Sequence, residues 1–388
     1  MKYYIISGEA SGDLHGSNLI KQLHALDAAA DIRCWGGDLM EQAGATLVKH
    51  YRELAFMGFV EVIKNLPAIL QNIKFCKQDI LSWQPDVLVL IDYPGFNLRI
   101  AEWAKQKGFR VVYYISPQVW AWKENRVKKM KQCIDKMLCI LPFEKDYYKN
   151  KWDWEVEYVG HPLVEVVEQF VVCSLGFVVD DRPKEEANYK RQPNNKLQTT
   201  NHKLIALLPG SRKQEISKKL PIMLEVAKSF PDYEFVVAKA PGQEDTFYEP
   251  FLAAYQNVSS VRNKTYDLLS KASAALVTSG TATLETALFG VPEVVCYKGS
   301  NISYQIAKRL VKIKYISLVN LIMDRLVVKE LIQHELTTAN LVAELNLLLT
   351  DEKRKAALQK DYAALKELLS AGGHASEQAA RSIYTFIS

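Results

Sequence analysis

Apolar residues fall along this chain in two alternating rhythms. Short runs rich in β-branched and aromatic residues read as strands: Tyr3–Ile6, Val87–Ile91, Val111–Ile115 and Met137–Ile140 in the first half, Leu204–Leu208, Glu234–Ala238, Ala274–Thr278 and Val294–Tyr297 in the second. Longer amphipathic stretches separate them and read as helices. Repeated βα units of this kind predict an α/β fold of two Rossmann-like domains, each a parallel sheet covered by helices. Ser174–Lys203 breaks the rhythm with Asp180-Asp-Arg-Pro-Lys-Glu-Glu and Gln192-Pro-Asn-Asn, and reads as a linker or solvated insertion. The expected division is a first domain over 1–173, the linker over 174–203, a second domain over 204–365 and a terminal helix over 366–388. Gly372-Gly373 sets that helix apart, free to pack on the first domain or on a partner subunit. The stretch from Met57 to Phe75, with bulky apolar residues and lysines, fits a core helix or an interfacial membrane helix, and Pro67 is expected to kink either one.

Composition narrows the class. The 388 residues suit two domains at roughly 150 residues each. With 48% hydrophobic and 24% charged residues, disorder and collagen-like architectures are excluded. The 49 Lys and Arg against 44 Asp and Glu leave +5, too small an excess to imply nucleic-acid binding, although a local cluster can still meet phosphates or anionic lipid. Six scattered cysteines (34, 76, 133, 139, 173 and 296) include no C-x-x-C pair and no His at finger spacing, so neither a zinc site nor a disulfide frame is expected, and a reducing cytosol fits. The start, Lys2-Tyr-Tyr-Ile-Ile-Ser7, lacks the features of a signal peptide, and no apolar run nears the ~20 residues that span a bilayer. An intracellular protein with at most peripheral membrane contact is expected.

Five segments carry candidate chemistry, each placed after a strand. Ser7-Gly-Glu-Ala-Ser-Gly-Asp-Leu-His-Gly16 opens a helix whose free N–H groups and glycines suit a ligand oxygen. A plain βα turn with Asp13 capping the helix fits the same residues, although a turn needs no carboxylate at Glu9. The spacing is not that of a dinucleotide fingerprint. Asp92-Tyr-Pro-Gly-Phe-Asn97 follows the most apolar strand and places a carboxylate where open sheets bind ligands; burial would make it a base, and an Asx turn is the plain alternative. Ile115-Ser-Pro-Gln-Val-Trp-Ala-Trp-Lys-Glu-Asn-Arg126 offers Trp120 and Trp122 as sugar-stacking or lipid-facing surface, with Arg126 and Lys128, Lys129 and Lys131 as phosphate contacts or a solvated basic face.

In the second half, Leu208-Pro-Gly-Ser-Arg-Lys213 puts Gly210, Ser211 and Arg212 at a helix start, a suitable diphosphate seat or an ordinary turn, and not a Walker A loop. Thr278-Ser-Gly-Thr-Ala-Thr-Leu-Glu285 gathers four hydroxyls, among them Ser279, Thr281 and Thr283, around Gly280, with Glu285 placed to accept from ribose hydroxyls.

In order and spacing these segments, together with Leu141-Pro-Phe-Glu144, Val159-Gly-His-Pro162, Tyr315–Ile322 and Lys329–Gln333, resemble bacterial lipid-A-disaccharide synthases over nearly the whole chain. The Ser174–Lys203 insertion lies outside the likeness, and Gly95 stands where many relatives carry a second Asp. The resemblance implies a GT-B glycosyltransferase with the acceptor on the N-terminal domain and UDP on the C-terminal one. It implies transfer of 2,3-diacylglucosamine from UDP-2,3-diacylglucosamine to the 6-hydroxyl of 2,3-diacylglucosamine 1-phosphate, with inversion, at the cytoplasmic face of the inner membrane, in some members by dimers that exchange C-terminal segments. Asp92 would be the base, with His15 as rival. Gly8, Glu9, Ser11, Asp13, Trp120, Trp122 and Arg126 would hold the acceptor. The loops at 210–212 and 279–285 would hold UDP, joined on resemblance by Asn320, Glu330 and Gln333. No metal or other cofactor is expected, since an Asp-x-Asp motif is absent. A wall-precursor transferase or UDP-sugar epimerase on the same plan, or a silent nucleotide-sugar-binding protein, are the other readings.

Overall fold

The computed structural model describes residues 1–54, 66–174, 203–299, 304 and 314–388. The chain forms two compact units: Met1–Pro162 with Leu368–Ser388, and Leu163–Glu367. The first holds seven parallel strands, β1 (Lys2–Ile6), β2 (Asp31–Gly36), β3 (Thr46–His50), β4 (Val87–Ile91), β5 (Val111–Tyr114), β6 (Lys136–Cys139) and β7 (Glu157–Tyr158), in the order β3-β2-β1-β4-β5-β6-β7. The second holds six, β8 (Leu204–Leu208), β9 (Glu234–Lys239), β10 (Val258–Arg262), β11 (Ala274–Thr278), β12 (Glu293–Tyr297) and β13 (Lys329–Ile332), in the order β10-β9-β8-β11-β12-β13. Both are doubly wound sheets with one reversal of strand order, between β1 and β4 and between β8 and β11.

Every residue of β4 is buried, as expected of a central strand covered on both faces. Alternate residues serve opposite layers: Leu88 and Leu90 join Tyr4, Ile6 and Trp35 on one side, while Val87, Val89 and Ile91 join Tyr3, Ile5 and Leu19 on the other. The helix Ala10–Leu26 lies tight on the sheet edge of that second layer because it carries glycines there: a Cβ on Gly12 would stand 2.8 Å from Cβ of Ser7.

The division differs from the expected one at the first boundary. From Leu163 onward the helix Pro162–Ser174 belongs to the second unit, where Phe170 packs edge-on against Tyr266 and Phe289. Leu163, Val164 and Val167 are buried there, whereas Val171 and Val172 are exposed; most of the linker expected at 174–203 lies outside the described residues, as do residues 57–65 of the apolar stretch. Pro67 is the second residue of the helix Leu66–Trp83.

The terminal helix Ala375–Ile387 packs on the helix Ala10–Leu26 of its own first unit, with Ala379, Ala380, Ile383 and Ile387 completing the layer of Tyr3 and Ile5. The chain reaches that flank by crossing backbone on backbone: a Cβ on Gly372 would lie 2.2 Å from the Gly160 nitrogen, and Gly160 itself has φ +88°. Among the described residues no helix is long and apolar enough to cross a membrane.

Glu293, at the start of β12, is buried with both carboxyl oxygens lacking hydrogen-bond partners among the described residues, and burial raises its pKa far above the usual carboxylate range. The folded protein thus keeps the proton while the unfolded chain releases it near pH 4.5, so stability is lost as pH rises from there toward the folded pKa, by up to about 1.4 kcal/mol per pH unit. Glu293→Gln is expected to raise the melting temperature at pH 8 and to lose that advantage near pH 4; an equal gap at both pH values would contradict the account.

Candidate active site

In open α/β sheets ligands enter the crevice beyond the carboxyl ends of the strands where their order reverses. In the first unit the segments leaving β1 and β4 are Ser7-Gly8-Glu9 and Asp92-Tyr93, so topology alone brings two distant motifs together. The approach is close: a Cβ on Gly8 would stand 2.4 Å from the Tyr93 ring. Asp92 and Tyr93 both take left-handed backbone angles, φ 43° and 48°. Such residues cost about 1–3 kcal/mol each and persist only where neighbours fix them. Here the Asn97 amide donates to the carbonyls of Ile6 at 3.3 Å, Ile91 at 3.2 Å and Asp92 at 2.9 Å, and the Tyr113 hydroxyl donates to the Asp92 carbonyl at 2.5 Å.

The Asp92 side chain is open to solvent on one side and walled by protein on the others. Loss of hydration first, then the Glu9 carboxylate, pushes its pKa up to about 6, opposed by the Tyr93 N–H. His15 stands deeper. Its Nδ1 is buried and has no hydrogen-bond partner among the described residues, and burial pulls its pKa down to about 4, making it a weaker base than Asp92. The neighbouring His161 is brought down to about 3 by burial and by His15.

The other residues expected to meet an acceptor divide. Glu9 and Ser11 are exposed at the helix start beside Asp92. Asp13 is not free for a sugar: its carboxylate accepts from the backbone of Gly37 at 2.7 Å, Met40 at 3.1 Å and Leu39 at 3.2 Å, so it caps the short helix Asp38–Gln42 instead of its own. Trp120 is half-buried, edge-on to Phe143, and its indole N–H donates to Glu144 at 3.1 Å, which fixes the loop and leaves little ring for stacking. Glu144, for which the sequence suggested no role, is a buried carboxyl that also accepts from the Leu141 N–H at 3.0 Å and whose pKa burial lifts to about 7. Trp122 is 48% exposed, with the Lys123 ammonium 3.9 Å over its ring. Arg126 opens the helix Arg126–Cys133, half-buried.

In the second unit the loops leaving β8 and β11 wall a cavity of about 440 Å³ that includes Gly210, Ser211, Arg212, Ser279, Gly280, Thr281 and Glu285. Gly210 has φ +114°, and a Cβ there would press within 2.8 Å of Glu215 Oε2. Arg212 is the N-cap of the helix Lys213–Val226, and its exposed guanidinium lies 3.6 Å from Glu215. Glu215 also faces Lys219 at 3.8 Å. Lys219 is buried and donates to the Thr278 hydroxyl, with burial lowering its pKa against the pull of Glu215. A buried ammonium beside the Gly210 turn is a feature that the lysine run 218–219 could not announce, since one of its members points inward.

The hydroxyl cluster contributes less than its sequence suggests. Thr278 is taken by Lys219, Ser279 donates to the Ile316 carbonyl at 2.7 Å, and the buried Thr283 donates to the Gly280 carbonyl at 2.8 Å. Thr281 remains exposed at the start of the helix Thr281–Leu288. Glu285 faces the cavity, held by the Tyr266 hydroxyl at 3.0 Å, and burial raises its pKa. Asn320 and Glu330 are buried and hydrogen-bonded to one another and to nearby backbone. The Asn320 amide donates to Val328 O and Glu330, its oxygen accepts from the N–H groups of Val327 and Val328, and Glu330 accepts from those of Ile316 and Ser317. Gln333, at φ 54°, spends its side-chain oxygen on the Gly299 N–H at 2.7 Å.

A larger cavity, about 550 Å³ beside Met1, Lys107 and Arg110, lies at the opposite, amino ends of the first sheet's strands, away from these loops. Among the described residues no three His, Cys, Asp or Glu side chains converge as metal ligands would.

The chain is similar to the glycotransferase of kitacinnamycin, with TM-score 0.64 and 14% identity over 99% of this chain and 98% of that one. It is similar to the UDP-GlcNAc 2-epimerase of Neisseria meningitidis, solved with UDP-GlcNAc, with TM-score 0.63 and 12% identity over 100% of both chains. At these identities the likeness is one of fold alone, and it is the family match that makes the chain a GT-B glycosyltransferase. A family model described as lipid-A-disaccharide synthetase matches residues 3–383, and a lipid-A-disaccharide synthase of Trichlorobacter lovleyi is 36% identical over 377 residues, 95% of this chain and 93% of that protein. The chain belongs to the lipid-A-disaccharide synthase family, whose function is formation of the lipid A disaccharide.

Proposed function

We propose that the enzyme joins UDP-2,3-diacylglucosamine to 2,3-diacylglucosamine 1-phosphate, giving the β-1,6 disaccharide 1-phosphate and UDP. The observation that carries the reading is the carboxyl of Asp92, pushed up to about 6 and aimed from the strand-order reversal of the first unit. Asp92 takes the proton of the acceptor 6-hydroxyl as that oxygen attacks the anomeric carbon. The bond from that carbon to the UDP oxygen breaks, with inversion. Charge appearing on the diphosphate is met by Arg212, the Ser211 turn and the helix starts after Arg212 and Gly280, while Glu285 accepts from the ribose. Cationic side chains and helix starts in this number suit the leaving group without a metal ion, so a chelator should leave the rate unchanged.

The decisive experiment incubates purified protein with both acylated sugars and seeks the joined product by mass. UDP-GlcNAc supplied alone should yield no epimer, which separates this reading from an epimerase on the same fold.

Acyl chains bring the enzyme to the cytoplasmic face of a membrane as a peripheral protein. Leu70 is 56% exposed and Phe75 44% exposed on the helix Leu66–Trp83, with Lys74 between them. Leu70→Glu with Phe75→Glu is expected to weaken sedimentation with phosphatidylglycerol vesicles about tenfold. Unchanged sedimentation would remove this helix from the membrane contact.

A further inference from the structure

Beside Asp92 the first turn of the helix Pro94–Gln106 and the helix Arg126–Cys133 enclose a recess of about 200 Å³. Its charged wall consists of Arg99, Glu102, Arg126 and Lys129, two more positive than negative. Glu102 is matched by Lys129 at 2.6 Å, and Arg99 folds back to donate to the Gly95 carbonyl at 2.8 Å. Arg126 is half-buried, and among the described residues no carboxylate and no hydrogen-bond acceptor meets its side chain. The charge that does lie near it is of its own sign, since the Arg126 guanidinium adds to burial in pushing down the pKa of Lys123. The space over the helix start is open: a Cβ on Gly95 would meet nothing within 4 Å. The recess is also close to the reacting group, because the buried Tyr113, whose hydroxyl holds the Asp92 carbonyl, feels both the Asp92 carboxylate and Arg126.

A partly desolvated guanidinium without a counter-charge is unfavourable until an anion arrives, and the planar fork of Arg suits the paired oxygens of a phosphate. We infer that this recess seats a phosphate monoester, the 1-phosphate of the acceptor sugar, with Arg126 as the fork and Arg99 and Lys129 as flanking charges. The inference rests on the acceptor named above. It also suits the recess's place beside Asp92, since a single pyranose ring separates the hydroxyl that Asp92 would deprotonate from the phosphate on the same sugar. The donor diphosphate has its own seat among the loops of the second unit.

The test compares 2,3-diacylglucosamine 1-phosphate with 2,3-diacylglucosamine lacking the phosphate, in turnover and in equilibrium binding to the full-length protein. Wild type should prefer the phosphorylated sugar. Arg126→Gln should raise its KM and Kd about tenfold or more, the usual loss for one charge-assisted contact, and bring the two sugars toward parity. The KM for the UDP-sugar should stay as it was. Arg99→Gln with Lys129→Gln should act in the same direction, about threefold, through charge alone. If Arg126→Gln weakens both sugars equally, or leaves the preference intact, the inference is overturned. It is overturned as well if these variants lose only binding to phosphatidylglycerol vesicles, for the recess then serves a lipid headgroup. Wild type that binds the phosphorylated sugar preferentially but forms no disaccharide would defeat the proposed reaction while sustaining the phosphate seat.

Discussion

Replacing Asp92 by Asn is expected to lower turnover by about 10²–10⁴-fold, the usual worth of a positioned general base, while UDP binds as before. Asn matches the volume of Asp, and the turn at residues 91–93 is held by Asn97 and Tyr113 through backbone carbonyls, so the exchange leaves the local structure in place. What changes is the capacity to take a proton. With a pKa of about 6, Asp92 is mostly ionised at neutral pH and becomes protonated as the medium is acidified. Because the ionised form is the working one, kcat/KM should be full above that value and fall tenfold per pH unit well below it. The variant should have a low rate without that limb. A limb near pH 4 that survives Asp92→Asn would transfer the role to His15, whose pKa lies there.

Arg212→Ala should cost about 10²–10³-fold in kcat/KM, the effect of removing one charge-stabilising donor from a developing anion. Its guanidinium is 65% exposed and lies 3.6 Å from Glu215, so the melting temperature should hardly move. Arg212→Lys should recover only part of the loss, since an ammonium cannot make the paired contacts of the fork. Glu215 links Arg212 to the buried Lys219, which fixes the direction from which the guanidinium reaches the cavity. A UDP dissociation constant unchanged by Arg212→Ala, together with normal turnover, would take this turn out of the diphosphate site.

The central strands of both sheets could be read from their continuous apolar runs, and with them the loops that follow. The strands that escaped notice are mainly those with weak apolar patterns. β3 and β10 are edges whose residues are half-exposed, Val258-Ser-Ser-Val-Arg262 being a clear case, and β7 has only two residues. Site residues divide by another rule. Sequence shows which polar side chains follow a strand, but not whether the backbone has already claimed them. Asp13 is used by N–H groups at 37–40, Glu330 by those of Ile316 and Ser317, and Thr283 by the carbonyl of Gly280, so each is polar, well placed and internally satisfied. Asp92 is different because its turn is fixed by Asn97 and Tyr113 through the backbone, and the Arg212 guanidinium, although 3.6 Å from Glu215, stays 65% exposed. Lys219 was hidden for the opposite reason: the preceding Ser217 and Lys218 are solvated, and only helical geometry turns it toward Thr278.

The terminal helix carries a consequence for biogenesis. Ala379, Ala380, Ile383 and Ile387 fill a layer whose other members, Tyr3, Ile5 and Leu19, lie at the opposite end of the chain. A ribosome therefore releases the opening domain with one flank bare, and that flank closes only once residues 375–387 have emerged. Nascent chains stalled before residue 375 should remain sticky and chaperone-bound however well their own seven strands have paired.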